Sequence, residues 1–352
     1  MRSEDIAILA GVSRSTVSRV LNNYHYIPQK TRDKVLKIIE QYHYEPNTSA
    51  RVLAGKATNT IGLFVISADG HNYANRIYQN NYFAPFVDAV IDTANAAGYY
   101  VLVHTVFSKE DIGKVRQAFL QKRIDGSIVV GSRKDIDMAK ELCSNQMPLV
   151  LIDYDVEELK QHQLIYDQLA VINSNDYEGA YSAIQYLIRL GHRDIAFISE
   201  GDSNTYSGQQ RFQAYLKALH DHRLPLREQF VLQGDFSKRT AYEAVLQLLD
   251  RGQDQLPTAI FSANDDMALG ALEAFKERGI RVPDDISIIG FDDVPVASQL
   301  IPGLTSVRLP IYGMSQAAVH RIITICEGGE STFTSDNFAT QLIVRETCRS
   351  RE

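Results

Sequence analysis

Cysteine is scarce in this sequence, and its positions exclude two kinds of structure. Cys143, Cys326 and Cys348 lie far apart in a chain of 352 residues and form no Cys-x-x-Cys pair. A disulfide framework or a zinc knuckle would need closely spaced cysteines. We therefore expect a protein of a reducing compartment, the cytoplasm.

Long apolar runs are also missing. No stretch of about 18 apolar residues occurs, which is what a membrane-spanning helix would require. The first residues, MRSEDIAILAGVS, are acidic at positions 4 and 5 and contain no apolar signal segment. We expect neither export nor a membrane partner.

The common catalytic and cofactor-binding motifs are absent as well. The sequence contains no GxGxxG, Walker loop, GxSxG elbow or HExxH, and an α/β fold by itself does not imply chemistry. The cluster His220-Asp221-His222 follows a helix in a polar turn and has no third ligand at motif spacing. We expect no enzyme, no cofactor and no metal site.

Charge is unevenly distributed along the chain, whose formal net charge is −7. Residues 1–58 carry nine Lys/Arg and five Asp/Glu, a net of +4, whereas the remaining 27 Lys/Arg and 38 Asp/Glu give −11. The length also exceeds the roughly 100 to 200 residues of a usual single domain. A small basic module on a larger acidic body is typical of a protein that binds a partner.

Apolar spacing predicts three short helices in the basic head, at about 4–10, 14–22 and 31–43. The first places Ile6, Leu9 and Ala10 on one side and ends at Gly11, a residue type that tolerates a tight left-handed turn. Ser13 is the expected cap of the second. The expected buried stripes are Val17, Val20 and Leu21 in the second helix and Val35, Ile38, Ile39 and Tyr42 in the third.

The first two helices and their small-residue turn suit DNA. This arrangement sets the second helix at an angle that fits a major groove about 12 Å wide. Arg14 and Arg19 could reach guanine edges, and Ser15 could reach either kind of base edge. The residues suited to phosphate contact are Ser13, Thr16 and Asn22. Spacing alone leaves open a helical hairpin with a solvated polar face.

From residue 60 onward, apolar strands alternate with longer amphipathic helices, which indicates parallel βαβ units. Ten strands are predicted, at 60–67, 99–105, 126–131, 148–154, 169–174, 194–199, 230–234, 259–263, 287–293 and 342–346. Ten strands exceed one ordinary doubly wound sheet. We therefore expect two lobes with a ligand between them.

Residues 10–22, AGVSRSTVSRVLN, together with residues 44–55, YEPNTSARVLAG, resemble the lactose-repressor (LacI/GalR) family of bacterial transcriptional regulators. The resemblance extends over essentially the whole chain, with Arg2 and Ser3 replacing the usual Thr-Ile before the first helix. Ser3 is then a candidate cap for that helix. The resemblance implies an α/β protein with an N-terminal all-α helix-turn-helix domain and a two-lobed, periplasmic-binding-protein-like core of doubly wound parallel sheets.

The resemblance also implies a division into three parts. Residues 1–45 form the DNA-binding domain, 46–58 the hinge helix or linker, and 59–346 the effector-binding core. The expected N-lobe covers about 60–162 and 293–322, and the expected C-lobe covers about 163–291 and 324–346.

The hinge segment is too short to be a stable isolated helix, because helices under roughly 12 residues are marginal in water. The resemblance implies that it orders on operator DNA, with Arg51 in contact with DNA and Leu53 as an apolar wedge at a minor-groove step. A plain flexible linker is the alternative.

Effector residues are implied at positions that mostly lie just beyond the carboxyl ends of strands, where open α/β sheets gather ligands. They are Tyr82, Phe83, Asp153, Arg211, Phe236, Asn264, Asp292 and Arg308. Such polar groups and flat aromatic faces suit a polyol. The family's chain order places Arg211 and Asp292 on facing lobes. For any one of these residues, the alternative is an ordinary role at the surface or as a helix cap.

Two features leave the effector open. Arg308 and the long polar loop 67–81 are compatible with an anionic or phosphorylated sugar, whereas pairing of Arg308 with a nearby carboxylate is the alternative.

We expect a sequence-specific DNA-binding repressor of carbohydrate-utilisation genes. It would bind near-palindromic operator DNA as a homodimer, under the control of a sugar or sugar phosphate between the lobes. Residues 346–352 contain no leucine-heptad tail, so a tetramer of that type is not expected. The alternatives are a phosphoprotein corepressor or a nucleobase as the signal and, further off, a solute-binding protein or an enzyme.

Overall fold

The computed structural model describes residues 1–21, 23–44, 57–66, 77, 80–107, 109–131, 136–201, 205–252, 256–329 and 332–351. Two compact units emerge, residues 1–58 and 59–352. Most of the expected hinge, including Arg51 and Leu53, lies outside the described residues, as do Asn22 and most of the loop 67–81. Among the described helices, none has the length and apolar character needed to span a bilayer.

The first unit is a three-helix head made of α1 (Ser3–Ala10), α2 (Arg14–Leu21) and α3 (Gln29–Gln41). Gly11 ends α1 with a φ of 61°. Ser13 caps α2 as predicted, since its Oγ accepts a hydrogen bond from the backbone N–H of Thr16 at 3.1 Å. The three helices share a small core of Ile6, Ala7, Ala10, Val17, Val20 and Val35.

Three expectations for the head are wrong in detail. Leu9 and Tyr42 are 44% and 45% exposed, because the α1 face that packs inward carries Ala7 and α3 ends before Tyr42. Ser3 is the first helical residue, and Arg2 is the cap position. There the backbone N–H of Arg2 donates to Asp5 Oδ2 at 2.7 Å, so the backbone N–H of the cap residue has a hydrogen-bond partner.

The second unit contains two sheets, each forming one lobe. The first sheet has the order β11-β5-β4-β3-β1-β2, and all of its strand pairs are parallel. Its strands are β1 (Thr60–Ile66), β2 (Tyr100–Val106), β3 (Gly126–Val130), β4 (Leu149–Ile152), β5 (Leu169–Ser174) and β11 (Thr334–Phe338). Its helices are α4 (Phe83–Ala96), α5 (Lys109–Leu120), α6 (Ile136–Cys143), α7 (Val156–Gln161) and α12 (Ile311–Cys326). Separate apolar clusters bury the two faces of this sheet.

The second sheet has the order β12-β10-β9-β8-β6-β7, with only the β10–β12 pair antiparallel among the described pairs. Its strands are β6 (Ile195–Ser199), β7 (Val231–Gln233), β8 (Ala259–Ser262), β9 (Ser287–Asp292), β10 (Thr305–Arg308) and β12 (Gln341–Ile343). Its helices are α8 (Asp176–Arg189), α9 (Tyr206–Asp221), α10 (Lys238–Leu249) and α11 (Asp265–Glu277).

The expected lobe boundaries at 162/163, 293–322 and 324–346 are wrong, because pairing assigns three strands to the other lobe. β5 pairs with β4 in the first sheet, β10 pairs with β9 in the second, and β11 pairs with β5 in the first. The chain therefore crosses between lobes three times, after Ser174, between Arg308 and Ile311, and between Phe338 and Gln341.

Candidate functional site

The first crossing places a carboxylate at the border of the lobes. Asp176 begins α8 directly after β5 and is only 2% exposed. Ser174 Oγ donates to Asp176 Oδ2 at 2.6 Å. The other carboxylate oxygen, Oδ1, accepts from Nε of Arg211 at 2.7 Å. This hydrogen bond joins α8 to α9 within the second lobe.

Arg211 is held on three sides. Besides its bonds to Asp176, its Nη1 donates to the carbonyl oxygen of Ala263. Its guanidinium carbon lies 3.8 Å from the centroid of the Phe291 ring, which covers one face. At 4% exposure, this charge is stable only because it is paired and hydrogen-bonded.

Asp292 and Asp153 complete the acidic side of the site. Asp292 ends β9 in a left-handed conformation with φ 104°, and its Oδ1 lies 3.7 Å from Nη2 of Arg211. Burial raises the pKa of Asp292 well above its ordinary value, against the opposing effect of Arg211. Asp153 follows β4 in the first lobe. Its burial and the charge of Asp176 raise its pKa to about 7, against a hydrogen bond from Tyr82 and the charge of Arg211.

Tyr82 connects the two lobes. It precedes α4, packs against the apolar cores of both lobes, and its hydroxyl donates to Asp153 Oδ2 at 2.9 Å. Burial raises the pKa of Tyr82 well above its ordinary value, followed by the charge of Asp153. We call the group of Tyr82, Asp153, Asp176, Arg211 and Asp292 the Arg211 cluster.

Four of these five residues were predicted as effector residues, and the structure brings them together. Asp176 was missed by sequence reasoning. It could have been found by the same rule that selected Asp153 and Asp292, because it also follows the carboxyl end of an apolar strand.

The other predicted effector residues occupy different positions. Phe83 packs into the first-lobe core. Asn264 caps α11, its Oδ1 accepting from the backbone N–H of Met267 at 2.8 Å. Arg308 donates from Nε to Asp293 Oδ2 at 2.7 Å, so it pairs with a carboxylate. Arg345 Nη2 holds the other oxygen of Asp293 at 2.6 Å.

Phe236 lines a cavity of about 480 Å³ at the border of the lobes. Asn80 and Asn81 of the first lobe line it together with Asp266 of α11. Asn81 Nδ2 donates to Asp266 Oδ1 at 2.5 Å, a polar contact across the lobes that the sequence did not predict.

The head exposes the predicted DNA-reading residues along α2. Arg14, Ser15, Ser18 and Arg19 are exposed, while Val17 and Val20 are buried beneath them. The Ser13 hydroxyl bonds those of Ser15 and Thr16 at 2.7 and 2.9 Å. Arg14 Nη1 lies 3.0 Å from Glu4 Oε1.

Comparison with known proteins adds three findings. Residues 4–47 match the model for bacterial regulatory proteins of the lacI family, and residues 184–348 match a periplasmic binding protein-like domain. The chain is 34% identical to the probable HTH-type transcriptional repressor ExuR of Bacillus subtilis (strain 168), over 98% of each chain.

Solved structures agree with the fold. The lac repressor dimer bound to operator and the anti-inducer ONPF superimposes with a TM-score of 0.80 at 28% identity, covering 98% of each chain. The complex of the transcriptional regulator CelR with cellobiose superimposes with a TM-score of 0.72 at 28% identity, covering 99% of each chain.

Proposed function

The chain belongs to the lacI family of bacterial regulatory proteins, and from that membership we propose that it is a transcriptional repressor whose affinity for operator DNA is set by a neutral sugar bound at the Arg211 cluster. The repressor would bind as a homodimer to a near-palindromic site, because one three-helix head offers a small interface and paired heads give a twofold-symmetric footprint. The lac repressor, a relative of the same fold, is bound to operator as a dimer.

The Arg211 cluster contains residues from both lobes, and this observation supports the effector proposal. Tyr82 and Asp153 come from the first lobe, and Arg211 and Asp292 from the second. A molecule bound among them would contact both lobes, so its affinity would depend on how the lobes are arranged. Such a dependence is what couples a ligand to a conformational equilibrium.

The chemistry of the cluster favours a ligand with many hydroxyl groups. Carboxylates accept hydrogen bonds from hydroxyls, the guanidinium donates to them, and an aromatic ring covers the C–H face of a sugar. The CelR relative is a complex with cellobiose. These groups together suit one polyol ring.

The charge balance of the cluster disfavours an anionic ligand. Arg211 is already paired with Asp176, while Asp153 and Asp292 are two further buried or half-buried acids. A phosphate or carboxylate brought beside them would lose its hydration in a poorly solvated site, and it would repel these two acids wherever they ionise. Arg308, the cation that left an anionic sugar open, is paired with Asp293.

Calorimetry on the full chain tests this proposal with neutral sugars, hexuronic acids, sugar phosphates and purines. We expect binding within the neutral sugars, reduced at least about tenfold by Asp292→Asn, because an amide N–H2 in place of a carboxyl oxygen leaves a buried hydrogen bond to the sugar unmade, which costs about 1–3 kcal/mol. Asp137→Asn, at a carboxylate that is 73% exposed, is the matched control and should bind like the parent. Binding of a hexuronic acid, a sugar phosphate or a purine in place of every neutral sugar would overturn the effector assignment.

A further inference from the structure

Residues 23–27, which follow α2, are held against α3. Asn23 adopts a left-handed conformation with φ 56°, and the backbone N–H of Tyr24 closes the helix end on the carbonyl of Arg19 at 3.0 Å. Arg32 of α3 clamps the loop through two donors, Nη1 to Asn23 Oδ1 and Nη2 to the Tyr24 carbonyl, both at 2.8 Å. Ile27 packs on the head core. The residues between these anchors have little freedom.

This loop presents two exposed tyrosines beside α2. Tyr24 and Tyr26 are 48% and 63% exposed. Their rings meet edge to face with centroids 5.6 Å apart. The guanidinium carbon of Arg19 lies 5.7 Å from the centroid of Tyr26, within cation–π range.

The two DNA-facing arginines are therefore held differently. Arg14 contacts Glu4 through an in-plane nitrogen at 3.0 Å, so one of its donors and part of its charge are engaged. Arg19 is held by the face of the Tyr26 ring. That contact leaves the in-plane N–H groups available, and bidentate recognition of guanine O6 and N7 uses those groups.

We propose that Tyr26 is a specificity-determining positioning residue, which holds Arg19 for base reading and makes it a stronger base reader than Arg14. This inference rests on the proposed DNA-binding function. It assigns no direct DNA contact to Tyr26.

The test uses the full chain with DNA selected from a random duplex pool. The base pair read by Arg19 is first located as the position where Arg19→Ala loses discrimination. At that position we expect Tyr26→Leu to reduce discrimination about 3- to 10-fold, with affinity for random DNA unchanged. Tyr26→Phe should retain discrimination to within about twofold, because it keeps the ring. In the Arg19→Ala background, Tyr26→Leu should have no further effect.

Tyr42→Leu is the matched control, since Tyr42 is another exposed tyrosine of the head, at 45%. If Tyr26→Leu lowered the affinity for random DNA as much as that for the selected DNA, or if it still lowered affinity in the Arg19→Ala background, the ring would be in contact with DNA itself. Either result would overturn the inference. So would parental discrimination in Tyr26→Leu. A parent chain that selects no sequence at all would instead refute the proposed function. The far-UV spectrum of each variant verifies that the head is folded.

Discussion

Arg211 Nη2 and Asp292 Oδ1 lie 3.7 Å apart within the second lobe. The family's chain order had placed these two residues on facing lobes, and this expectation is wrong, because Asp292 ends β9 and Arg211 lies on α9 beside the same sheet. The second lobe therefore carries a preassembled half of the proposed effector site, with Asp176 holding Arg211 in place. The first lobe contributes Tyr82 and Asp153 to the other half.

Removal of the Asp176 carboxylate should destabilise the core. Asp176→Asn leaves a buried guanidinium with its principal counter-charge gone, so we expect the free energy of unfolding to fall by about 3–5 kcal/mol. Urea denaturation of the full chain, followed by the far-UV circular dichroism of its secondary structure, measures this loss.

The control for that experiment is Asp137→Asn, which breaks an exposed pair with Lys140 at 3.3 Å. Surface pairs contribute about 0–1 kcal/mol, so little change is expected. Equal effects of the two substitutions would contradict the buried role of Asp176.

The stability of the core should depend on the ionisation of Asp153. Its pKa is raised to about 7, mainly by burial. The folded state therefore holds a proton that the unfolded state releases near pH 4, and stability falls as the pH rises between those values. Because Asp153→Asn removes this titration, the variant should gain stability relative to the parent as the pH goes from 5 to 8, by up to about 2–3 kcal/mol.

Melting temperatures of both proteins across this range measure the effect. Asp285→Asn is the control, because Arg281 lowers the pKa of Asp285 to about 2 and its titration is complete below the range. A parent-to-Asp153→Asn difference that does not vary with pH would contradict the raised pKa.

Glu4 should weaken binding to DNA of any sequence. Its carboxylate lies 3.0 Å from Arg14 Nη1 on the exposed side of the head. Glu4→Gln frees that guanidinium for a phosphate, so we expect a higher affinity for random DNA and a log–log salt slope steeper by about 0.9 per chain. Fluorescence anisotropy at several salt concentrations gives both quantities.

Glu40→Gln makes the same charge change at an exposed position on α3 and serves as the control. If the two variants gained the same affinity, the effect would be one of net charge, and the Glu4–Arg14 pair would have no special role.

Periodicity in the sequence was sufficient for most elements but not for their assignment to lobes. The strand LAVINS was predicted with its observed bounds, Leu169–Ser174, yet it was placed in the wrong lobe, because an apolar run does not specify its partner strand. β10, TSVR, and β11, TSDNF, were missed. Their sequences lack apolar runs, and only pairing with β9 and β5 makes them strands.

The candidate site shows the same limit. The rule that ligands gather at carboxyl ends of strands selected Asp153 and Asp292 but could not show that Arg308 pairs with Asp293. That pairing depends on two residues 15 positions apart meeting across the end of β10. Side-chain partners of this kind are set by tertiary structure, so the sequence left both interpretations open.

The most direct test of the account is operator release by a neutral sugar in the parent and in Asp292→Asn. Anisotropy of a labelled operator, with the full chain and a sugar that binds in calorimetry, should show operator affinity falling at least about fivefold at saturation in the parent, as a coupling of about 1–3 kcal/mol implies. Asp292→Asn should bind operator equally well without sugar and need at least about tenfold more sugar for half release. A response curve identical to the parent's would contradict the placement of the effector at the Arg211 cluster.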